Sequence, residues 1–192
     1  MGIQLIGEKS APLSDKAFLS GVRRGLGPVR RFRVSSAQAE AAISSRKLIH
    51  HPIWLAKILS YADRPPFPPK VRPNVVFIDA VSGYRGVMET IPPLRDPLGD
   101  DDAAAHQSAL KITTAEQTRP YIKAVLDKVD RSYMMKKPRH SIEEITLVYL
   151  PLWRVKLDLA EGPDELIINA NTGEPETYMA DQWSASSWLS LG

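Results

Sequence analysis

Between residues 146 and 159 apolar and charged side chains alternate. Trp153, Val155, Leu157 and Leu159 fall on one face of an extended chain, and Arg154, Lys156 and Asp158 fall on the other. Successive strand side chains point to opposite sides, so this period of two predicts a half-buried strand. Glu161-Gly-Pro-Asp164 predicts a turn, 166–170 the returning strand, and Asn171-Thr-Gly173 a second turn. A longer period governs 115–136, where Tyr121, Ile122, Val125, Leu126 and Val129 form one helical stripe. Pro120 predicts a kink or a short turn in that helix. Residues 36–48 are Ala-rich, with Ala39, Ala42, Ile43 and Arg46 at helical spacing, and predict an earlier helix. A weakly alternating stretch, 29–34, predicts a strand before it.

These patterns recur in the same order. Pro52-Ile-Trp54-Leu-Ala-Lys57-Ile58 matches Pro151-Leu-Trp153-Arg-Val-Lys156-Leu157. Apolar residues lead into Asp79-Ala-Val-Ser-Gly83 and again into Asn169-Ala-Asn-Thr-Gly173, with Met88 and Met179 following. Upstream, Arg33-Val-Ser-Ser-Ala-Gln38 matches Lys111-Ile-Thr-Thr-Ala-Glu116. Each of these sets suits a capping box, with Ser35 or Thr113 accepting from an early helix N–H. Two tandem copies are therefore expected, each a strand, helix, strand, turn and strand. The fold class expected is α+β, with helices on an antiparallel sheet and pseudo-twofold symmetry. The expected organisation is an N-terminal segment over 1–28, units over 29–91 and 109–180, a linker over 92–108 and a tail over 181–192. The stretch 52–62 also suits a helix through Leu55, Ile58, Leu59 and Ala62, with Pro52 at its first position. The repeat favours a strand there.

The blocks Ser35-Ser-Ala-Gln-Ala-Glu-Ala-Ala-Ile43, the Trp strand and Ile168-Asn-Ala-Asn-Thr-Gly-Glu174 resemble PepSY-like repeats. The resemblance covers roughly 33–90 and 111–179. It implies a cystatin-like unit, a helix lying on a small antiparallel sheet, serving as a binding or regulatory module. It brings no catalytic residues. Copy one departs from the pattern with Gly83-Tyr84 where Gly-Glu is usual.

Composition is that of an ordinary globular chain, with 43% hydrophobic and 24% charged residues among 192. A net charge of +3 permits an anionic partner without requiring one. With no cysteine, disulfides, thiolate metal sites and a Cys nucleophile are excluded. The apolar stretch at the N-terminus is too short for a signal sequence, and no run reaches the ~18 apolar residues of a membrane span. A cytoplasmic protein is the expectation.

Few side chains suggest chemistry. His50-His51 point to opposite faces of a strand and lack further ligands, so a polar start to a strand is expected. His106 and His140 show no ligand spacing, and Asp100-Asp-Asp102 lacks the alternating oxygens of a calcium loop. No metal and no cofactor are expected. Asp79 and Asn169 suit Asx turns. Arg23, Arg24, Arg30, Arg31 and Arg33 suit a solvated arm or an edge strand, with phosphate contact as the alternative. Pro65-Pro-Phe-Pro-Pro69 is a stiff connection or a polyproline ligand. Trp54 and Trp153 are expected core anchors, whereas Trp183 and Trp188 end the chain in a tail that docks on its own domain or on a partner.

The leading expectation is a non-enzymatic interaction module for an unknown protein or small ligand, with a homodimer possible and nucleic acid a poor fit. Candidate ligand or partner residues are Trp54, Lys57, Asp79, Tyr84, Arg154, Lys156, Trp183 and Trp188. Alternatives are an enzyme site between the two units, drawing on Lys57, Asp79, Tyr84, Arg154 and Lys156, and nucleic-acid binding through 23–33.

Overall fold

The computed structural model describes residues 3–7, 13–88, 90–96, 110–133, 136–184 and 187–190. In chain order these form β1 (Leu5–Ile6), α1 (Asp15–Gly25), α2 (Gly27–Arg33), α3 (Ser36–Ala41), β2 (Ile43–Arg64), β3 (Phe67–Asp79), β4 (Arg85–Met88) and β5 (Leu94–Arg95). There follow α4 (Ala115–Asp130), β6 (Arg139–Leu159), β7 (Gly162–Asn169), α5 (Thr177–Ser184) and a 3-10 turn at Ser187–Leu189. The fold is α+β. Among the described residues seven strands are bonded in the order β4-β3-β2-β6-β1-β5, with β7 also on β6. No helix among the described residues is long and apolar enough to cross a membrane.

Two compact units are present. The first takes in β1, α1–α3, β2 up to His51, β5, β6 from Tyr149, and β7; the second takes in β2 from Pro52, β3, β4, α4, β6 up to Val148, and the chain from Gln182. In the second unit the antiparallel register sets Trp54 opposite Ile78 and Ala56 opposite Val76. Alternation then puts Trp54, Ala56 and Ile58 on one face, where Ile122, Val125 and Leu126 of α4 cover them. The first unit repeats the arrangement with other parts. Trp153 lies opposite Ile168 and Val155 opposite Leu166, and Phe18, Val22 and Leu26 close over Val155, Leu157, Leu166 and Ile168. The hairpin of 53–79 is thus covered by the helix that follows it in sequence, and the hairpin of 152–169 by helices near the N-terminus.

Caps set the helix starts. Ser14 accepts from Ala17 N–H at α1. Ser35 with Gln38, and Thr114 with Gln117, form reciprocal capping boxes at α3 and α4. The second cap therefore sits one residue beyond the expected Thr113. Thr113 N–H also donates to the Gln117 side chain, so that one Gln carbonyl serves both threonines.

Several expectations on the N-terminal side are overturned. Residues 29–34 are not a strand: Gly27–Arg33 is helix α2, with Pro28 in its first turn and Val34 N–H bonded to the carbonyl of Arg30. Basic residues at its last turn suit the negative end of a helix dipole. The expected helix over 36–48 stops at Ala41, and Ile43 opens a strand of 22 residues. The reason is tertiary: Asp158 N–H donates to Ala42 O, and Ser44 Oγ to Lys156 O, drawing this segment onto β6. No strand precedes α4 at 110–114, where Ile112 N–H instead bonds Ala80 O. Pro120 lies inside an α4 that runs unbroken from Ala115 to Asp130. Residues 52–62 are strand, as the repeat implies. The Pro-rich run at 65–69 makes the β2–β3 connection and the start of β3. His50 and His51 lie buried within β2 and not at its start. Asp100–Asp102 and His106 fall outside the described residues.

Candidate functional site

Both hairpins end in the same local structure. After β3, Oδ1 of Asp79 accepts from the N–H groups of Val81 (2.8 Å) and Ser82 (3.1 Å). After β7, Oδ1 of Asn169 accepts from Asn171 (3.0 Å) and Thr172 (3.3 Å). Ser82 Oγ then accepts from Tyr84 N–H, and Thr172 Oγ1 from Glu174 N–H, each at 3.2 Å. The main-chain bonds agree as well: Ala80 N–H reaches Pro52 O and Gly83 N–H reaches Asp79 O, as Ala170 reaches Pro151 and Gly173 reaches Asn169. Gly83 and Gly173 take φ of 76° and 72°, a left-handed conformation that other residues adopt only under strain.

A chain segment covers each turn. In the first unit α1 lies on Gly173. A Cβ on Gly21 would collide with the Gly173 carbonyl, and Arg24 bonds both that carbonyl (3.1 Å) and the Glu174 carboxylate (2.5 Å). In the second unit the C-terminal segment lies on Gly83, where a Cβ would sit 2.8 Å from Trp188 O.

That second turn forms the most elaborate polar and aromatic cluster described. Arg85 Nη1 donates to Trp188 O at 2.6 Å and to Gly83 O at 3.1 Å. Tyr121 Oη, on α4, donates to Leu189 O at 3.1 Å. The Trp188 ring meets Tyr84 edge-on at 5.1 Å, and Arg85 and Lys128 lie over it at 5.6 and 5.7 Å. Such cation–ring contacts contribute roughly 0.5–2 kcal/mol each, more when desolvated. Burial holds the Arg85 guanidinium below its ordinary pKa, partly opposed by the Tyr121 phenol. Trp183 Nε1 donates to Asp79 Oδ2 at 3.1 Å, and Trp188 Nε1 to Gln182 Oε1 at 2.7 Å. Of the residues singled out from sequence, Asp79, Tyr84, Trp183 and Trp188 come together here. Arg85, Tyr121 and Lys128 complete the cluster; the sequence marks Tyr121 only as part of a helical stripe and the other two not at all, because their roles depend on where the tail lands.

The remaining candidates lie elsewhere. Trp54 is a core residue, 7% exposed, with Nε1 donating to Ile112 O. Lys57 pairs with Glu144 at 2.6 Å on the strand surface, and that bond lowers the Glu144 pKa. Arg154 pairs with Glu165, and Lys156 is exposed beside it on β6. Both belong to the first unit. Of the basic segment, Arg23 bonds Ser36 and Arg31 O, Arg24 bonds Glu174, and Arg30 bonds Glu161 and Asp164.

One constellation escaped the sequence reading. Ser60 Oγ and His140 Nδ1 are 2.9 Å apart, and His140 Nε2 lies 2.9 Å from Asp130 Oδ1. Serine, histidine and carboxylate in a row are the parts of a nucleophilic triad. Here the serine is 3% exposed, and Asn74 Nδ2 donates to its Oγ at 2.8 Å. A nucleophile must be reachable by its substrate, so this row serves to tie the end of α4 to β2 and β6. Among the described residues no group of three or more His, Asp or Glu is placed to hold a metal ion. Comparison with protein families, with curated proteins and with solved structures finds no match to this chain.

Proposed function

We propose that this chain is a non-enzymatic interaction module whose recognition surface is the cradle formed by Tyr84, Arg85, Tyr121 and Lys128. The observation that carries the reading is the mode in which Trp188 and Leu189 are held. Arg85 and Tyr121 bond main-chain carbonyls, while aromatic and cationic groups surround one indole. Main-chain bonds with a single aromatic anchor are a common means of binding a peptide segment. The segment bound is the chain's own Trp188–Leu189 stretch. A tethered segment has an effective concentration on the order of millimolar, so modest affinity suffices to keep it docked. Exchange of tails between copies then gives self-association.

The hairpin–turn segments 52–85 and 151–175 are, in this reading, two copies of one PepSY-like unit. Their shared bonds, their paired Trp residues and a helix on each hairpin support it. Of the residues considered for a reaction centre, Lys57, Asp79 and Arg154 each bond a neighbour within the fold.

Hydrogen exchange on the full chain tests the cradle. In Arg85→Ala the amides of 187–190 exchange at least tenfold faster, while those of α4 hold their protection. Unchanged protection of 187–190 refutes the cradle.

A further inference from the structure

We propose that the β2–β3 arm, with the 136–139 segment beside it, binds nucleic acid. Beyond Asn74 the hairpin leaves the core: residues 67–73 are all exposed. Register sets Lys70 opposite Ala62 and Arg72 opposite Ser60, so both cations share one face of the ribbon. Two residues apart on a strand, they stand about 7 Å from one another, comparable to successive phosphates along a nucleic-acid strand. The fold adds a second segment. Lys136 bonds Asp63 at 2.6 Å, and Arg139 lies 3.8 Å from the same carboxylate. Lys136 and Arg139 thus bring two cations of a separate segment to Asp63, on the same hairpin arm that carries Arg64, Lys70 and Arg72, in a chain whose entire net charge is +3.

The shape points to nucleic acid over other anionic partners. A two-stranded ribbon fits the major groove, where Lys and Arg supply the phosphate contacts. At the tip Phe67 is 67% exposed and borders a depression of about 280 Å³ with Pro65, Pro66 and Pro69, room enough for one base. Apolar wedges of this kind contact bases in groove-binding proteins. A lipid surface calls for a broad apolar face, and among the arm's described residues only Phe67 and Val71 are exposed large hydrophobics. Pro68, Pro69 and Pro73 lack N–H donors, which makes β3 a poor edge for strand addition by a second copy. The arm shares no residue with the tail cradle, so either proposal stands or falls without the other.

The test is fluorescence anisotropy on the full chain, with a labelled duplex of about 20 base pairs and a single strand of the same length. Binding to at least one probe is expected, weakening on the order of 100-fold between about 50 and 200 mM salt if some four phosphates are neutralised. Lys70→Ala with Arg72→Ala cuts affinity at least tenfold and reduces the salt slope by about two. Phe67→Ala weakens binding with the slope unchanged, and Arg31→Ala with Arg33→Ala has no effect. Lys70→Gln with Arg72→Gln repeats the result if the alanine pair lowers the melting temperature. Three outcomes overturn the proposal: no binding of either probe at the lower salt, binding unaltered by both Lys70/Arg72 pairs, or tighter binding to phosphatidylserine vesicles than to either nucleic acid.

Discussion

Asp79 and Asn169 hold equivalent turn positions, and each carries the side chain that its second neighbour requires. Oδ1 closes the turn in both. The other terminal atom differs: Asp79 Oδ2 accepts from the Trp183 indole, whereas Asn169 Nδ2 donates to Glu176 Oε1 at 2.9 Å. Turn geometry was legible in the sequence, because Asp and Asn share it and both precede Ala-x-(Ser/Thr)-Gly. The partner atoms were not, since Trp183 is remote from Asp79 in sequence. A charge test follows. Asn169→Asp sets a second carboxylate against Glu176 and costs about 1–3 kcal/mol at pH 7. Neighbouring like charges raise carboxyl pKa values, so the penalty is largest above the raised value and fades as pH falls through it. Denaturant unfolding at pH 7 and pH 4 measures this; an equal loss at both would exclude repulsion as the cause. Gly21→Ala is destabilising for a different reason, the collision of its Cβ with the Gly173 carbonyl.

At the scale of elements, the strands were easier to read than the helices of the N-terminal third. Trp54 and Trp153 sit in strands at matching register, opposite Ile78 and Ile168, because period-two alternation needs no knowledge of the partner. The helical spacing of Ala39, Ala42, Ile43 and Arg46 misled, because pairing with β6 takes over at Ile43 and outweighs local propensity. The weak alternation of 29–34 belonged to a short helix with no buried residue, for which hydrophobic pattern carries no information. The cap of α4 gives a clean test of one-residue precision. Thr114→Ala loses the N3 bond and costs about 1 kcal/mol. Thr113→Ala leaves that bond intact and costs less. Equal losses in thermal melts would place the cap wrongly. Trp54→Ala, which empties the centre of the α4 core, costs about 3–5 kcal/mol.

At the scale of the whole molecule, the sequence shows two Pro-x-Trp strands each leading to an Asx-Ala-x-(Ser/Thr)-Gly turn, without revealing which helix covers which hairpin. The pairing of α4 with the earlier hairpin, and of α1 with the later one, depends on contacts between residues far apart in the chain. The same holds for the C-terminal segment: its two tryptophans marked it as a docking element, while Arg85 and Tyr121, which receive it, looked ordinary. The Ser60–His140–Asp130 row belongs to this class too, joining Ser60 of β2 to the end of α4 and the start of β6 some way further along the chain. A serine-directed fluorophosphonate should leave the folded chain unlabelled, and labelling that disappears in Ser60→Ala would establish an accessible nucleophile. The cradle is tested most directly by binding in trans. A chain ending at Asp181 is titrated with a peptide of residues 182–192, and Trp188→Ala peptide and Arg85→Ala chain serve as comparisons. Saturable binding of the native pair, weakened at least tenfold by either substitution, is the predicted result; a folded, truncated chain that ignores the peptide, or binds all pairs alike, contradicts the cradle.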